Sequence, residues 1–426
     1  MSGQLDITAA TVDPGLLDLP WDRMLEEWPD ETIAALPKGI SRHIVRFVNL
    51  SGYVVAIKET TVEMAQREYE MLRVLQRIDV PCVEPVAVIT NRRDAAGEPL
   101  PAALVTRHLK FSLPYRAVYS QSLRPETATR LVDALAVLLV RLHVVGFFWG
   151  DVSLSNTLFR RDAGAFAAYL VDAETGRLEE GRLSDGQREH DLEIGRVNII
   201  GELFDLQAGS RLDESIDPVA IGDGIVDQYR SLWNELTGTE TFDASERWRI
   251  DQRVYRLNEL GFDIEELAIR TDANGTQVVI QPKVVDAGHH SRRLLRLTGI
   301  DAQEGQARRL LNNLDSYRAK FDLHGVDEEL VAHEWVTRVF EPVTRAVPKD
   351  LRGKLEPAEM FHQLLDHRWY LSQNESRDVP LAEAVSGYVD AVLRHRRDEA
   401  TMINPPTTAN TIPTDVVGDD DWRSKV

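Results

Sequence analysis

The chain is short of positive charge. Against 69 Asp and Glu it has 49 Lys and Arg, a formal net charge of -20 over 426 residues. So acidic a chain repels the phosphates of nucleic acids and of anionic membranes, so general binding to nucleic acid is not expected, and only a local basic patch could support it. Cysteine is scarce too: the single Cys82 allows no internal disulfide framework and fits a reducing compartment. No long apolar run occurs. The most apolar stretch, Leu131–Trp149, carries Asp133, Arg141 and His143, whereas a spanning helix needs about 20 predominantly apolar residues. It reads as a buried core helix, and no membrane span is expected. Residues 1–20 hold no Lys or Arg and no apolar core, so no signal peptide is expected and a cytoplasmic location is.

What is present is an ordinary globular mixture, 43% hydrophobic and 28% charged, long enough for two to three domains. Residues 1–38 read as a lead-in with one short helix, because Trp21, Met24, Leu25 and Trp28 recur at helical spacing after Pro20. His43–Leu50 and Tyr53–Lys58 around Ser51-Gly52 predict a β-hairpin. Thr61–Arg77 predicts a helix, Val83–Ile89 and Ala102–Leu109 two strands, and Pro125 to about Val145 a long helix closed by Gly146. Short strands near Thr157–Phe159 and Tyr169–Val171 and a helix over Arg188–Leu206 follow. A β-rich lobe thus precedes a helical one. From about Ile225 helices dominate: Ile225–Leu236, Ser245–Leu260, Ser291–Leu297, Gln303–Phe321, Glu328–Arg345 and Leu381–Arg396. One hairpin, Leu267–Thr271 with Gln277–Ile280 around Asn274-Gly275, interrupts them. Residues 401–426, with Pro-Pro and Asp419–Asp421, read as a disordered acidic tail.

The chemistry sits in Gly150-Asp151-Val152-Ser153-Leu154-Ser155-Asn156, an Asp-x-x-x-x-Asn spacing in a loop after the long helix. Asp172 follows at the end of Tyr169-Leu170-Val171, and Val55-Ala56-Ile57-Lys58 lies on the second hairpin strand. In this order and on these elements the pieces match the needs of phosphoryl transfer. The transferred group passes through a diffuse anionic transition state, so positioning and charge neutralisation dominate. Mg2+ takes hard oxygen ligands, which Asn156 and Asp172 provide. Asp151 can orient a hydroxyl and accept its proton. Lys58 can neutralise the non-transferred phosphates, and Ala56, on the same strand face, leaves room for a flat base. A carboxylate on the next helix would hold the lysine. Glu68 shares the face of Met64, Leu72 and Leu75, while Glu70 lies roughly 200° away, so Glu68 is the candidate.

These residues resemble the protein-kinase-like superfamily, and within it the atypical branch of RIO kinases and lipopolysaccharide core kinase-like proteins. Leu142-His143-x-x-Gly146 leading to Gly150-Asp151, and Asp151-x-Ser153-x-x-Asn156, carry the likeness over about residues 38–220. The whole chain is similar to a family of actinobacterial proteins that pairs such a half with a C-terminal domain of unknown function. Pro37–Arg42, Val285–His290 and His367–Ser372 carry that second likeness. The resemblance implies an α+β, bilobal protein-kinase-like fold followed by a mostly α-helical C-terminal domain. The N-lobe would span 39–110, the C-lobe 111–224 and the helical domain 225–400. It also implies ATP and Mg2+, with Lys58 and Glu68 anchoring nucleotide, Asp151 as catalytic base, and Asn156 and Asp172 as metal ligands. The sequence departs from the pattern at four places. No Gly-rich loop precedes Lys58, and Ser41 and Arg42 could stand in for it. His-Arg-Asp becomes Trp149-Gly150-Asp151, Asp172-Ala173-Glu174 replaces Asp-Phe-Gly, and no Ala-Pro-Glu segment follows.

Each residue also has a plainer reading. Asp and Asn favour loops for local hydrogen bonds, and a lone strand lysine is unremarkable in itself. Glu174 reads as a turn cap, with added charge at the metal site the alternative, His143 as a structural hydrogen-bonding residue, and His289-His290 as a poor zinc pair. Arg292, Arg293, Arg296, Arg308 and Arg309 form a basic island that internal pairing with the excess acids accounts for, with phosphate or nucleic-acid binding the alternative. The expectation is an ATP- and Mg2+-dependent kinase acting on an unidentified hydroxyl of a small molecule or protein. The alternative is a nucleotide-binding pseudokinase or scaffold whose C-terminal domain binds a protein partner.

Overall fold

The computed structural model describes residues 5–9, 13–29, 44–120, 123–271, 277–396 and 398–399. Pro37–Arg42, the Asn274-Gly275 turn and the tail from 401 lie outside the described residues.

The first lobe is an antiparallel sheet of β1 (Asp6–Ala9), β2 (Val45–Leu50), β3 (Tyr53–Thr60), β4 (Glu84–Thr90) and β5 (Ala102–Arg107), with α1 (Val62–Arg77) between β3 and β4. The spatial order is β1-β4-β5-β3-β2. Alternation along the strands sorts the two faces. Ala102, Leu104 and Val88 meet Ala65 and Tyr69 of α1. Val55, Ile57, Ala103 and Val105 point the other way. The Thr61 side chain caps α1 by accepting from Met64 N at 3.2 Å. Glu68 is buried on α1 and Glu70 exposed, but Met64, expected on the core face, is exposed.

The lead-in is not the α-helix its spacing suggested. It forms two 3-10 turns, Pro14–Asp18 and Leu25–Glu27. The apolar repeat there records burial: Trp21 and Trp28 meet edge to face with ring centroids 5.2 Å apart, and they cover the sheet face of Val55 and Ile57 together with Leu16 and Leu25. Strand β1 was unforeseen. It pairs with β4 in the register Asp6↔Thr90.

The second lobe contains β6 (Ser112–Pro114), α2 (Tyr115–Val118), α3 (Pro125–Val144), β7 (Phe147–Phe148), β8 (Thr157–Asp162), β9 (Ala165–Leu170), β10 (Arg177–Leu178), α4 (Asp185–Ala208) and α5 (Pro218–Thr237). The long apolar helix α3 is its axis, with Leu131, Leu135, Leu138, Leu139 and Leu142 buried at helical spacing. Gly146 turns the chain after α3 with φ +84°; a Cβ there would lie 2.2 Å from the Gly181 carbonyl oxygen. The position 224/225 lies inside α5, whose Ile225, Tyr229 and Leu236 share one buried cluster with α3.

The remaining elements are β11 (Glu240–Asp243), α6 (Trp248–Glu259), β12 (Phe262–Thr271), β13 (Gln277–Ala287), α7 (His289–Thr298), α8 (Glu304–Lys320), α9 (Glu328–Trp335), α10 (Glu341–Ala346), α11 (Pro357–Glu375) and α12 (Leu381–Ala391). The three strands form a sheet in the order β11-β13-β12. The helices from α7 onward enclose a second core around Trp335, Phe340 and Phe361. The single helix expected over Glu328–Arg345 is interrupted by a π-helical segment, Val336–Phe340. Pro342 explains the break, since it has no N–H to continue the ladder. Helix α11 was not foreseen because its buried face includes Glu359, His362, Gln363 and His367. Among the described residues, no helix is long and apolar enough to cross a membrane.

Candidate active site

Strand alternation turns Lys58 toward α1, and there its ammonium meets three carboxylates. Nζ lies 3.1 Å from Glu68 Oε2, 2.6 Å from Asp172 Oδ2 and 2.9 Å from Glu174 Oε2. Glu68 comes from the first lobe, and Asp172 and Glu174 from the segment after β9, so one ammonium ties the lobes together. The Asp172 carboxylate also accepts from Glu174 N at 3.0 Å. That tight turn brings both acidic side chains onto the lysine.

Burial and the nearby Asp172 charge push the Glu68 pKa up, against the pull of Lys58. Burial disfavours the charge on Lys58, but Glu68 and Asp172 outweigh it and its pKa is raised. The three carboxylates together form a hard-oxygen donor set of the kind that suits a divalent cation. One carboxylate oxygen from each of Glu68, Asp172 and Glu174 lies within 4.8 Å of the others.

Asp151 and Asn156 meet in the loop between β7 and β8. Asn156 Nδ2 donates to the Asp151 carbonyl at 3.1 Å and to Asp151 Oδ2 at 3.0 Å. Asn198 Nδ2 approaches Asp151 Oδ1 at 3.4 Å and donates to the Val152 carbonyl at 3.1 Å. This pair joins the lysine cluster through the backbone: Val171 N donates to Asn156 O at 3.0 Å, and Trp149 Nε1 donates to Asp172 O at 2.8 Å. The structure therefore gathers Lys58, Glu68 and Asp172 in one group, and Asp151 and Asn156 in an adjoining one.

The loop is held from beneath by α4. Asp191, fully buried, accepts from Trp149 N and Gly150 N at 2.8 Å each, and from His143 Nε2 at 3.1 Å. A carboxylate only accepts, so His143 is protonated on Nε2, and its Nδ1 accepts from Tyr229 OH at 2.8 Å. Burial lowers the His143 pKa, against the pull of Asp191. Glu202 accepts from Leu154 N at 2.7 Å and Ser155 N at 3.0 Å. Its pKa is raised by burial, partly offset by these donors. Gly150 takes φ +78° immediately before Asp151, a conformation suited to glycine.

Four of these residues were not among the expected site residues: Glu174, read from the sequence as a turn cap, and Asp191, Asn198 and Glu202, which the sequence reading did not single out. The last three had a readable signal. They are spaced by seven and four on one helix, hence on one face of α4, beside the buried apolar Leu192, Ile199 and Leu203. Glu174 had only its proximity to Asp172.

The basic island is mostly paired. Arg292 meets Asp263 at 2.7 Å, Arg293 meets Glu328 at 2.5 Å, Arg308 meets Glu259 at 3.3 Å and Arg309 meets Asp366 at 2.8 Å. His289 and His290 open α7 rather than lying in a strand. His289 contacts Asp263 at 2.5 Å and His290 contacts Glu304 at 2.7 Å.

Residues 48–194 match the model of the lipopolysaccharide kinase (Kdo/WaaP) family, and residues 231–393 match that of a domain of unknown function, DUF4032. Among solved structures, WaaP in complex with acyl carrier protein aligns with 54% of this chain and 99% of its own, at 15% identity and a TM-score of 0.32. No curated protein matches the sequence.

Proposed function

We propose that this chain, kinase-like in its first half and carrying a DUF4032 domain in its second, transfers the γ-phosphoryl group of ATP to a hydroxyl with the help of Mg2+. The observation that carries the reading is the lysine contacted by carboxylates from both lobes, beside an Asp–Asn pair on a loop braced by Asp191 and Glu202.

In this reading Lys58, oriented by Glu68, neutralises the phosphates that stay behind. Asp172 and Asn156 hold Mg2+, with Glu174 beside them. When bound, the ion supplies charge neutralisation along the triphosphate. The Asn156 side chain has both a donor and an acceptor end. Its NH2 is engaged by Asp151, which leaves Oδ1 as the end able to face a cation. Asp151, held by Asn156 and Asn198, orients the acceptor hydroxyl and takes its proton as the new P–O bond forms and the bond from the γ-phosphorus to the bridging oxygen breaks, releasing ADP. The remaining protein contribution is rigidity: Asp191 and Glu202 fix the loop backbone on both sides of Asp151.

A second reading, a nucleotide-binding or silent scaffold, is favoured by one observation. Lys58 is already engaged by three carboxylates, and nucleotide must compete with them. Thermal unfolding with ATP, with and without Mg2+, together with an assay of phosphate transfer, separates the two. Saturation at ~100 times the dissociation constant stabilises by about 2.7 kcal/mol. A Mg2+-dependent rise that vanishes in Asp172→Ala, with phosphate transfer lost in Asp151→Ala, is the expected result. A rise with ATP but no transfer by the wild type, or no rise with ATP or GTP, would leave the scaffold reading standing.

A further inference from the structure

The β8–β9 hairpin has two ends with different business. At its base, Asn156 directly precedes β8 and Asp172 follows β9 by two residues, and Thr157 pairs with Leu170 between them. At its far end the hairpin is gripped by the DUF4032 half. Asp162 accepts from Gly305 N at 2.9 Å and Gln306 N at 2.6 Å, capping α8 from another part of the chain. Arg160 pairs with Glu356, and Arg161 Nε lies 2.9 Å from Glu399 Oε1. Ala163 N donates to Glu359 Oε2 at 2.9 Å and Gln306 Nε2 to Arg161 O at 2.9 Å; nearer the base, where Tyr169 pairs with Leu158, Tyr169 OH donates to Gln303 Oε1 at 2.7 Å. These groups are mostly buried, and directional bonds of this kind fix position more sharply than apolar packing does.

We infer that the DUF4032 half is a positioning element for the metal site: through the tip of the β8–β9 hairpin it fixes the separation and orientation of Asn156 and Asp172. The inference rests on the metal-assisted reading of that site. The hairpin is the outer part of a three-stranded sheet, β6-β8-β9, so its inner portion is held by β6 and by packing on α3. At its base Val171 N donates to Asn156 O, Val83 N to Leu170 O and Leu170 N to Pro81 O. Its tip reaches beyond the pairing with β6 and is tied to groups more than 130 residues away in sequence. Asp162 and Glu356 act through the hairpin and have no direct part in the site. They are positioning residues.

The test uses the full chain, comparing wild type with Asp162→Asn, whose single amide oxygen gives up one of the two backbone bonds at the tip, and with Asp162→Asn/Glu356→Gln. The double variant leaves Arg160 without its carboxylate and is open to misfolding, so the single variant serves as the milder probe. Two readouts are taken well below the unfolding temperature: hydrogen exchange at the Val171 amide and across 154–158, and the Mg2+ concentration for half-maximal ATP-dependent stabilisation. Nucleotide affinity without metal is the control. The expected result is exchange faster by about threefold to tenfold, the equivalent of one lost hydrogen bond. The Mg2+ midpoint should rise by a similar factor, with metal-free nucleotide affinity unchanged. Faster exchange with an unmoved Mg2+ midpoint would overturn the inference, and so would no change in either, while both leave the kinase reading intact. A wild type that binds neither nucleotide nor Mg2+ would overturn that reading first and the inference with it.

Discussion

Asp191→Asn removes one charge and changes no volume, yet it should loosen the loop that carries Asp151. The carboxylate serves three donors: Trp149 N and His143 Nε2 on Oδ2, and Gly150 N on Oδ1. An amide offers one oxygen and one NH2 group. Whichever way it is turned, at least one of these N–H groups faces another donor in a fully buried site. An unsatisfied buried donor costs roughly 1–3 kcal/mol, and bonds to a charged acceptor are worth about twice neutral ones. The sum is about 2–4 kcal/mol. At about 2–4 °C per kcal/mol for a domain of this size, unfolding should fall by roughly 4–15 °C. Calorimetry of the full chain follows the transition. Asp205→Asn, at an exposed position on the same helix, is the control and should stay within about 0.5 kcal/mol of wild type. An Asp191→Asn chain that melts within about 1 °C of wild type would refute the argument.

Other outcomes follow from single sites. The Asp162 pKa is pushed up to about 7 by burial, partly countered by its bonds to Gly305 N and Gln306 N. The folded chain therefore holds this proton more tightly than the unfolded one does. Its contribution to stability is full below the ordinary value of 3.8 and is lost as pH rises to about 7. Urea unfolding across that window should show wild type declining relative to Asp162→Asn, and parallel curves would sink the assignment. Gly146→Ala forces a Cβ into a backbone at φ +84° and onto the Gly181 carbonyl. It should cost about 2 kcal/mol or more, read as a lower urea midpoint; an unchanged midpoint would mean the turn can rearrange freely.

Much of this molecule can be read in its sequence, and the parts that cannot share a cause. The β2–β3 hairpin, α1 with its Thr61 cap and α3 are local objects. Their alternation, capping and apolar spacing are written within 20 residues or so, and the structure places them close to where the pattern does. The Asp151–Asn156 spacing is local too. What is hidden depends on distant partners. Glu174 looks like a turn residue until Lys58, 116 positions away, is brought beside it. Strand β1 is short and half exposed, and only β4 makes it a strand. Helix α11 has polar residues on its buried face because part of that face grips the β8–β9 hairpin through Glu359. A hydrophobic pattern cannot report a face that is buried through hydrogen bonds.

The lead-in has a practical corollary. Glu59, the neighbour of Lys58 on β3, points to the opposite face. There it accepts from Leu25 N at 3.0 Å and from Arg92 at 2.8 Å, while Arg92 also donates to the Trp21 carbonyl. The strand that bears the lysine is thus latched from behind by Leu25, which precedes the kinase-family match, and by Arg92, itself bonded to Trp21 upstream of that match. A chain trimmed to that match would leave Val55, Ile57, Val86, Ile89 and Val105 as a bare greasy sheet, prone to stick to its own kind. The smallest soluble piece of this protein should therefore begin well upstream of the segment by which its kinship is recognised.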